Sequence, residues 1–140
     1  MTGPIAGGII YADESVNKDS FSWADFTPTV YTGGGSTAVS GTVGYAKFLQ
    51  IGKTVWAVAS VTFNATTTGG AAIDLPVAAA TRLLNCGSCV LFGSSTPADQ
   101  SGIAFMTTTL DKLVVVAFTT GFRDATSGDT IRYSVCYEAA

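Results

Sequence analysis

The chain has 140 residues, of which 47% are hydrophobic and only 12% are charged, and its formal net charge is −3. This length fits a single domain with one core. No run of Lys or Arg is available to neutralise phosphates, and no apolar stretch approaches the roughly 18 residues of a membrane span, so we expect neither a nucleic-acid nor a membrane partner.

Threonine and glycine take the place of charged residues: the chain contains 20 Thr and 16 Gly. Threonine favours strands because its branched Cβ restricts χ1 and packs well on a pleated surface. A surface with few charges indicates burial between subunits, because charge keeps monomers apart. A monomer coated with Thr and Ser is the alternative on the same composition.

Residues 1–22 show no sustained period of 2 or 3.6 and are predicted to form an N-terminal docking arm. Deletion of residues 2–20 is expected to abolish attachment to a partner and to leave the domain at 23–140 folded. The start of the chain lacks a basic region followed by a long apolar region, so we expect synthesis in a cytoplasm. Candidate contact residues of the arm are its larger apolar side chains, Ile5, Ile9, Ile10, Tyr11, Val16 and Phe21.

From residue 23 onward, short Val-, Thr- and aromatic-rich runs alternate with glycine-rich turns, which predicts about seven or eight strands. They are Thr27–Thr32, Gly41–Gln50, Thr54–Asn64, Ala71–Leu75, Asn85–Phe92, Ser101–Thr109, Lys112–Thr120 and Thr130–Glu138. Only Val77–Leu84 is compatible with a helical turn, and a loop fits it equally well. Without crossover helices a parallel sheet is excluded, so we predict an all-β, antiparallel, jelly-roll-like sandwich.

The strongest strand signal lies in Thr54–Asn64, where two sets of side chains alternate. One predicted face carries Val55, Ala57, Ala59, Val61 and Phe63, and the other carries Trp56, Val58, Ser60 and Thr62.

The sequence contains no histidine, so the usual general base and the commonest metal ligand are both missing. The nearest carboxylate pairs are Asp124 with Asp129 and Asp13 with Glu14. All four lie in turn or arm segments, where such side chains bond to the local backbone. We therefore expect no enzyme, no catalytic residues and no cofactor.

The spacing Cys86-Gly87-Ser88-Cys89 is that of a zinc knuckle or a redox dithiol. Only Cys136 is left as a third thiol, so a structural zinc site lacks its fourth ligand, and we expect no metal. The surroundings indicate a strand and not the start of a helix, which favours free, partly buried thiols. A Cys86–Cys89 disulfide and a metal shared between subunits are the alternatives.

Aromatic residues are frequent between residues 23 and 56 and are candidates for an interface or a sugar-binding face. The candidates are Trp23, Tyr31, Tyr45 and Trp56, with Phe26 and Phe48 nearby. For any one of them, core packing is the alternative.

Four segments in this order resemble a module common in virion proteins of phages of actinobacteria and their relatives. They are Trp23–Val30, with a W-x-x-(Y/F)-T-P-T opening; Gly44–Val55, where Gly52-Lys53-Thr54-Val55 matches the end of the module's G-x-Y-x-x-x-G-K-x-V pattern; Ile73–Val77, with its Leu-Pro ending; and Gly128–Tyr133 followed by Tyr137. The module occurs at the ends of minor tail or fibre proteins and as short free-standing virion proteins.

The resemblance implies a β-sandwich on the virion surface that assembles as a homotrimer and has no catalytic residues. Its partner would be the major capsid protein or a tail protein of the same phage, with assembly in the bacterial host cytoplasm. A free-standing chain without a fibre shaft favours a capsid decoration (cement) protein that stabilises the head. The alternative is a tail-fibre or minor tail module that binds a host receptor or glycan.

Overall fold

The computed structural model describes residues 22–82, 86–93, 100–117 and 121–140. The strands within these residues are β1 Ala24–Asp25, β2 Val30–Thr32, β3 Thr37–Val39, β4 Gly41–Ile51, β5 Thr54–Phe63, β6 Ala72–Asp74, β7 Gly87–Phe92, β8 Gln100–Met106, β9 Lys112–Ala117, β10 Gly121–Phe122 and β11 Thr130–Glu138. The only helical element described is a single 3-10 turn at Gly33–Gly35, and no helix long and apolar enough to cross a membrane occurs in these ranges.

The strands form two antiparallel layers, as the sequence predicted. The hydrogen-bonded order is β1-β4-β5-β11-β7-β8-β9-β6-β2-β3, with β10 beside β9. The first five strands of this order form one layer, β9-β6-β2-β3 form the other, and β8 connects them. Every ladder described is antiparallel, which confirms the exclusion of a parallel sheet.

The core lies between the two layers and follows from the alternation of side chains in the long strands. On β5 the predicted alternation is confirmed: the face of Val55, Ala57, Ala59, Val61 and Phe63 is the inner one, and each of these five residues is at most 1% exposed. β11 alternates strictly, with Ile131, Tyr133, Val135 and Tyr137 buried and the residues between them exposed, apart from half-buried Thr130. Burial of these side chains at roughly 25 cal/mol per Å² is the main force that holds the layers together.

Two tyrosines of β11 also join the layers through hydrogen bonds. The Tyr133 hydroxyl donates to the carbonyl oxygen of Asp74 at 3.0 Å, and the Tyr137 hydroxyl donates to that of Val77 at 2.7 Å. Both tyrosines are buried, and these bonds provide their hydroxyl groups with partners inside the protein.

The predicted strands agree with the structure to within a few residues at most ends. The first begins at Val30 and not at Thr27, because Pro28 cannot donate to a ladder. Three strands of two or three residues, β1, β3 and β10, were not predicted. The described part of Val77–Leu84 contains no helix, so the loop alternative holds there.

Candidate functional site

The outer face of the five-stranded layer carries the candidate site. Its strand register aligns side chains in rows that run across the strands. One row contains Tyr45, Ser60, Arg132 and Val90, in that order from β4 to β7. A second row, two residues along each strand, contains Lys47, Val58, Ser134 and Ser88.

A β-bulge at Gly44 places Tyr45 on this face. Val43 pairs with Val61, and Tyr45 pairs with the adjacent Ser60, so Gly44 is the extra residue in β4. Without it, the alternation of β4 would turn Tyr45 toward the core. The bulge therefore leaves the Tyr45 ring 47% exposed.

An apolar patch occupies one end of the face and consists of Trp23, Leu49, Ile51 and Trp56. Leu49 pairs with Trp56, and the pairing of Ala24 with Phe48 brings Trp23 level with Leu49. Trp23 is 47% exposed, Trp56 is 38% exposed, and Ile51 is also exposed. Large apolar side chains gathered on one surface are unusual for a protein that remains a monomer.

Toward the other end lies a shallow groove of about 190 Å³. Ser88 and Ser134, which pair across β7 and β11, have short side chains that leave room above the sheet. We call this the serine groove, and its other outward-facing side chains are those of Tyr45, Val58, Val90 and Arg132.

Arg132 is the cation among the described residues that line the groove, and its guanidinium has contacts on two sides. It lies over the Phe92 ring at 4.8 Å, and its Nε donates to Ser60 Oγ at 3.3 Å. Among the described residues no carboxylate pairs with Arg132; the ion pairs found there are Lys47–Asp25 and Lys112–Asp111. The terminal amino groups of Arg132 can therefore bind an anion.

Of the four aromatic candidates, Trp23, Tyr45 and Trp56 share this face, whereas Tyr31 lies on β2 in the other layer. Lys112 Nζ lies 4.8 Å from the centre of the Tyr31 ring. Burial, together with neighbouring Asp74, raises the pKa of Tyr31. Phe26 and Phe48 pack edge to face with their centres 5.9 Å apart and belong to the margin of the core.

The three cysteines lie close in the fold, since the Cys136 amide donates to the Cys86 carbonyl at 2.9 Å, but they form no disulfide. Cys86 and Cys89 are buried, Cys136 is exposed on β11 beside Trp56, and all three thiols are free. Burial raises the pKa of Cys86 to about 11 and that of Cys89 to about 12, so both thiols stay protonated at neutral pH. The described residues contain no group of three potential ligands that would hold a metal ion.

The glycine between the two buried cysteines has a structural role. Gly87 has a φ of +154°, and a Cβ atom there would clash with the Ser134 carbonyl oxygen. The Cys-Gly-Ser-Cys spacing thus coincides with a close approach of β7 to β11 that a larger residue would prevent.

The candidate acid–base residues bond to loop backbone. Asp124 Oδ1 accepts from the Gly70 amide at 2.7 Å, and Asp129 Oδ2 accepts from the Thr126 amide at 2.9 Å. Asp13 and Glu14 lie outside the described residues, as do the docking-arm candidates Ile5, Ile9, Ile10, Tyr11, Val16 and Phe21.

The four segments of the resemblance contact one another within the sandwich. The Thr29 amide donates to Asp74 Oδ2 at 3.0 Å, which joins the first segment to the third. Tyr133 and Tyr137 of the closing segment donate to carbonyls of Asp74 and Val77 in the third. These residues are therefore accounted for by the fold.

Sequence reasoning missed the serine groove and Arg132. The period of β11 indicates that Arg132 and Ser134 share a face, but the register with β7 and β5 that forms the groove has no local signal. The fold is an antiparallel β-sandwich, and its five-stranded layer carries an exposed apolar patch. No protein-family profile, curated protein or solved structure matches this chain.

Proposed function

We propose that this chain is a structural protein of a bacteriophage particle, without enzymatic activity, that associates with copies of itself through the apolar patch and decorates the capsid. The observation that carries the proposal is the exposure of Trp23, Ile51 and Trp56 on one face of a chain with few charges. The resemblance of four segments to a phage virion module supports the particle as its location and a homotrimer as its assembly.

The two outer faces of the sandwich differ in a way that favours this surface. On the four-stranded layer, the turn at Gly33–Gly35 packs over β6 and leaves Ala72 fully buried. Backbone hydrogen bonds hold this turn, including one from the Gly34 amide to the Gly70 carbonyl at 2.9 Å. The tryptophans on the five-stranded layer remain open to a partner subunit.

The tryptophans provide enough surface for a measurable contact. A whole Trp buries up to about 250 Å², so exposed fractions of 47% and 38% leave about 200 Å² on each protomer. Burial of that area contributes about 5 kcal/mol at roughly 25 cal/mol per Å². Trp56 alone accounts for about 2 kcal/mol per contact, or about 30-fold in the association constant.

Self-association is tested by analytical ultracentrifugation of the full chain across a range of concentrations. We expect a closed oligomer, a trimer if the resemblance holds, that Trp23→Ser and Trp56→Ser each weaken, the latter by about 30-fold. Val43→Ser is the matched control, because it removes an exposed apolar side chain from the opposite end of β4. A wild-type chain that stays monomeric, or an equal effect of the control, would contradict this contact.

The location on a particle is tested by incubating the purified chain with undecorated phage heads and imaging them by electron microscopy. Ordered density on the capsid surface is expected, and heads that bind the chain should withstand heating longer than bare heads. The variant that lacks residues 2–20 tests the docking arm: attachment should be lost while the far-UV spectrum stays that of a β-protein. Density on the tail only would overturn capsid decoration.

The serine groove favours a second candidate, a tail-fibre or minor tail module that binds a host receptor or glycan. An open groove with an exposed aromatic ring and several polar side chains is the kind of surface that receives a small ligand. Mutations of Trp56 and Tyr45 separate the two candidates. Loss of self-association on mutation of Trp56 favours the first, and loss of binding to host envelopes or cell walls on mutation of Tyr45 favours the second.

A further inference from the structure

We infer that the serine groove binds an acidic saccharide, with a sugar carboxylate on Arg132 and a sugar ring on the face of Tyr45. This inference rests on the second candidate function and names its ligand class. Its test is separate from that of self-association, because the groove and the apolar patch have no residue in common.

Arg132 supplies the anion site. Its guanidinium is fixed by the Phe92 ring and by Ser60 Oγ, so little side-chain freedom is lost on binding. Its charge lacks a carboxylate partner among the described residues, and a carboxylate can accept two parallel hydrogen bonds from a guanidinium.

Tyr45 supplies the surface for the ring. Its side chain is 47% exposed and lies in the same row as Arg132, with only Ser60 between them. The apolar C–H face of a sugar ring packs on an aromatic face, and the phenolic hydroxyl at the rim can bond to sugar hydroxyls. The bulge at Gly44 holds the ring at this position.

The floor favours a polyhydroxylated ligand. Ser88 and Ser134 are both exposed, and each hydroxyl can donate and accept a hydrogen bond. The volume of about 190 Å³ is below the roughly 300–1,000 Å³ of sites for drug-sized ligands. The groove therefore suits one sugar unit of a longer chain whose other units extend beyond it.

A peptide fits this surface less well than a saccharide. Peptides that bind sheets usually add a strand to an open edge. The groove runs over β5, β11 and β7, and central β5 and β11 are paired on both sides. It therefore offers side chains and no free ladder of amides and carbonyls.

Isothermal titration calorimetry of the full chain tests the inference with three probes. They are a hyaluronan tetrasaccharide, which carries glucuronate; chitotetraose, which is its neutral counterpart; and tetraglutamate, which carries carboxylates on a peptide. We expect binding of the hyaluronan tetrasaccharide, weakened by added salt, and at least about tenfold weaker binding of the other two.

Four variants assign the site. Arg132→Gln should lower the affinity about tenfold or more, whereas Arg82→Gln, which removes an exposed arginine from the loop after β6, should leave it unchanged. Tyr45→Ser should abolish binding. Ser134→Leu fills the groove from its floor without replacing either contact residue, and should also abolish binding.

Each other outcome is decisive. Equal binding of chitotetraose overturns the acidic ligand and retains glycan binding as a function. Equal binding of tetraglutamate overturns the saccharide. Absence of binding to both saccharides overturns the inference, while the second candidate is decided separately by binding to host envelopes and cell walls, and self-association through the apolar patch by its own test. If Arg82→Gln weakens binding as much as Arg132→Gln does, the saccharide is attracted by the positive charge of the protein in general, and the site at Arg132 is overturned.

Discussion

Replacing Tyr137 or Tyr133 by Phe removes one hydroxyl from the seam between the two layers. Tyr137 donates to the Val77 carbonyl at 2.7 Å and Tyr133 donates to the Asp74 carbonyl at 3.0 Å, while both rings are about 3% exposed. Each replacement leaves a partly buried carbonyl without that donor. A buried acceptor that loses its partner costs about 1–3 kcal/mol, so we expect each variant to lose about 1–2 kcal/mol of unfolding free energy.

The magnitude is measurable by urea denaturation, with all variants at one protein concentration because association adds to apparent stability. The midpoint should fall while the m value stays unchanged, since neither ring moves out of the core. In a thermal scan, each 1 kcal/mol corresponds to about 3–4 °C for a domain of this size.

Tyr45→Phe is the matched control, because its ring is nearly half exposed and its hydroxyl has access to water. Its unfolding free energy should change by less than about 0.5 kcal/mol. If Tyr137→Phe and Tyr133→Phe are as stable as Tyr45→Phe, the two hydroxyl bonds do not stabilise the sandwich, and burial alone holds the layers together.

Three further predictions follow from the described residues. Burial raises the pKa of Tyr137 to about 12, above its unfolded value near 10. The protonated Tyr137 hydroxyl therefore contributes fully to the unfolding free energy below pH 10, and this contribution is lost as the pH rises through 12. The fall in unfolding free energy between about pH 10 and pH 12 should be smaller in Tyr137→Phe. A thiol reagent at pH 8 should modify Cys136 rapidly and Cys86 and Cys89 only after denaturation, and equal rates for all three would contradict the burial described. Gly87→Ala should lower the unfolding free energy by about 3 kcal/mol, because the new methyl group meets the Ser134 carbonyl and alanine is strained at a φ of +154°. Gly52→Ala, at a turn with open space around it, should cost about 1 kcal/mol in the same urea titration.

The sequence was sufficient for the inner faces of the sandwich because each depends on a local period. The two-residue alternation in β5 groups Val55, Ala57, Ala59, Val61 and Phe63 on one face without knowledge of any partner strand, and that face is the core. β11 alternates in the same way. The short strands β1 and β3 escaped prediction because two or three residues carry no period, and their pairing with β4 and β2 defines them.

The candidate site required the structure because it depends on register between strands distant in the chain. Tyr45 and Arg132 are 87 positions apart in the sequence (132 − 45) and share one row only because β5 pairs with both β4 and β11. A shift of one residue in either ladder would turn one of them toward the core, and loss of the bulge at Gly44 would be such a shift. The alternation in β4 alone, continued from Gly41 without a bulge, assigns Tyr45 to the same side as Val43, which pairs with buried Val61. The aromatic that was predicted to be an interface or ligand candidate thus reaches the surface through an irregularity that composition and period do not encode.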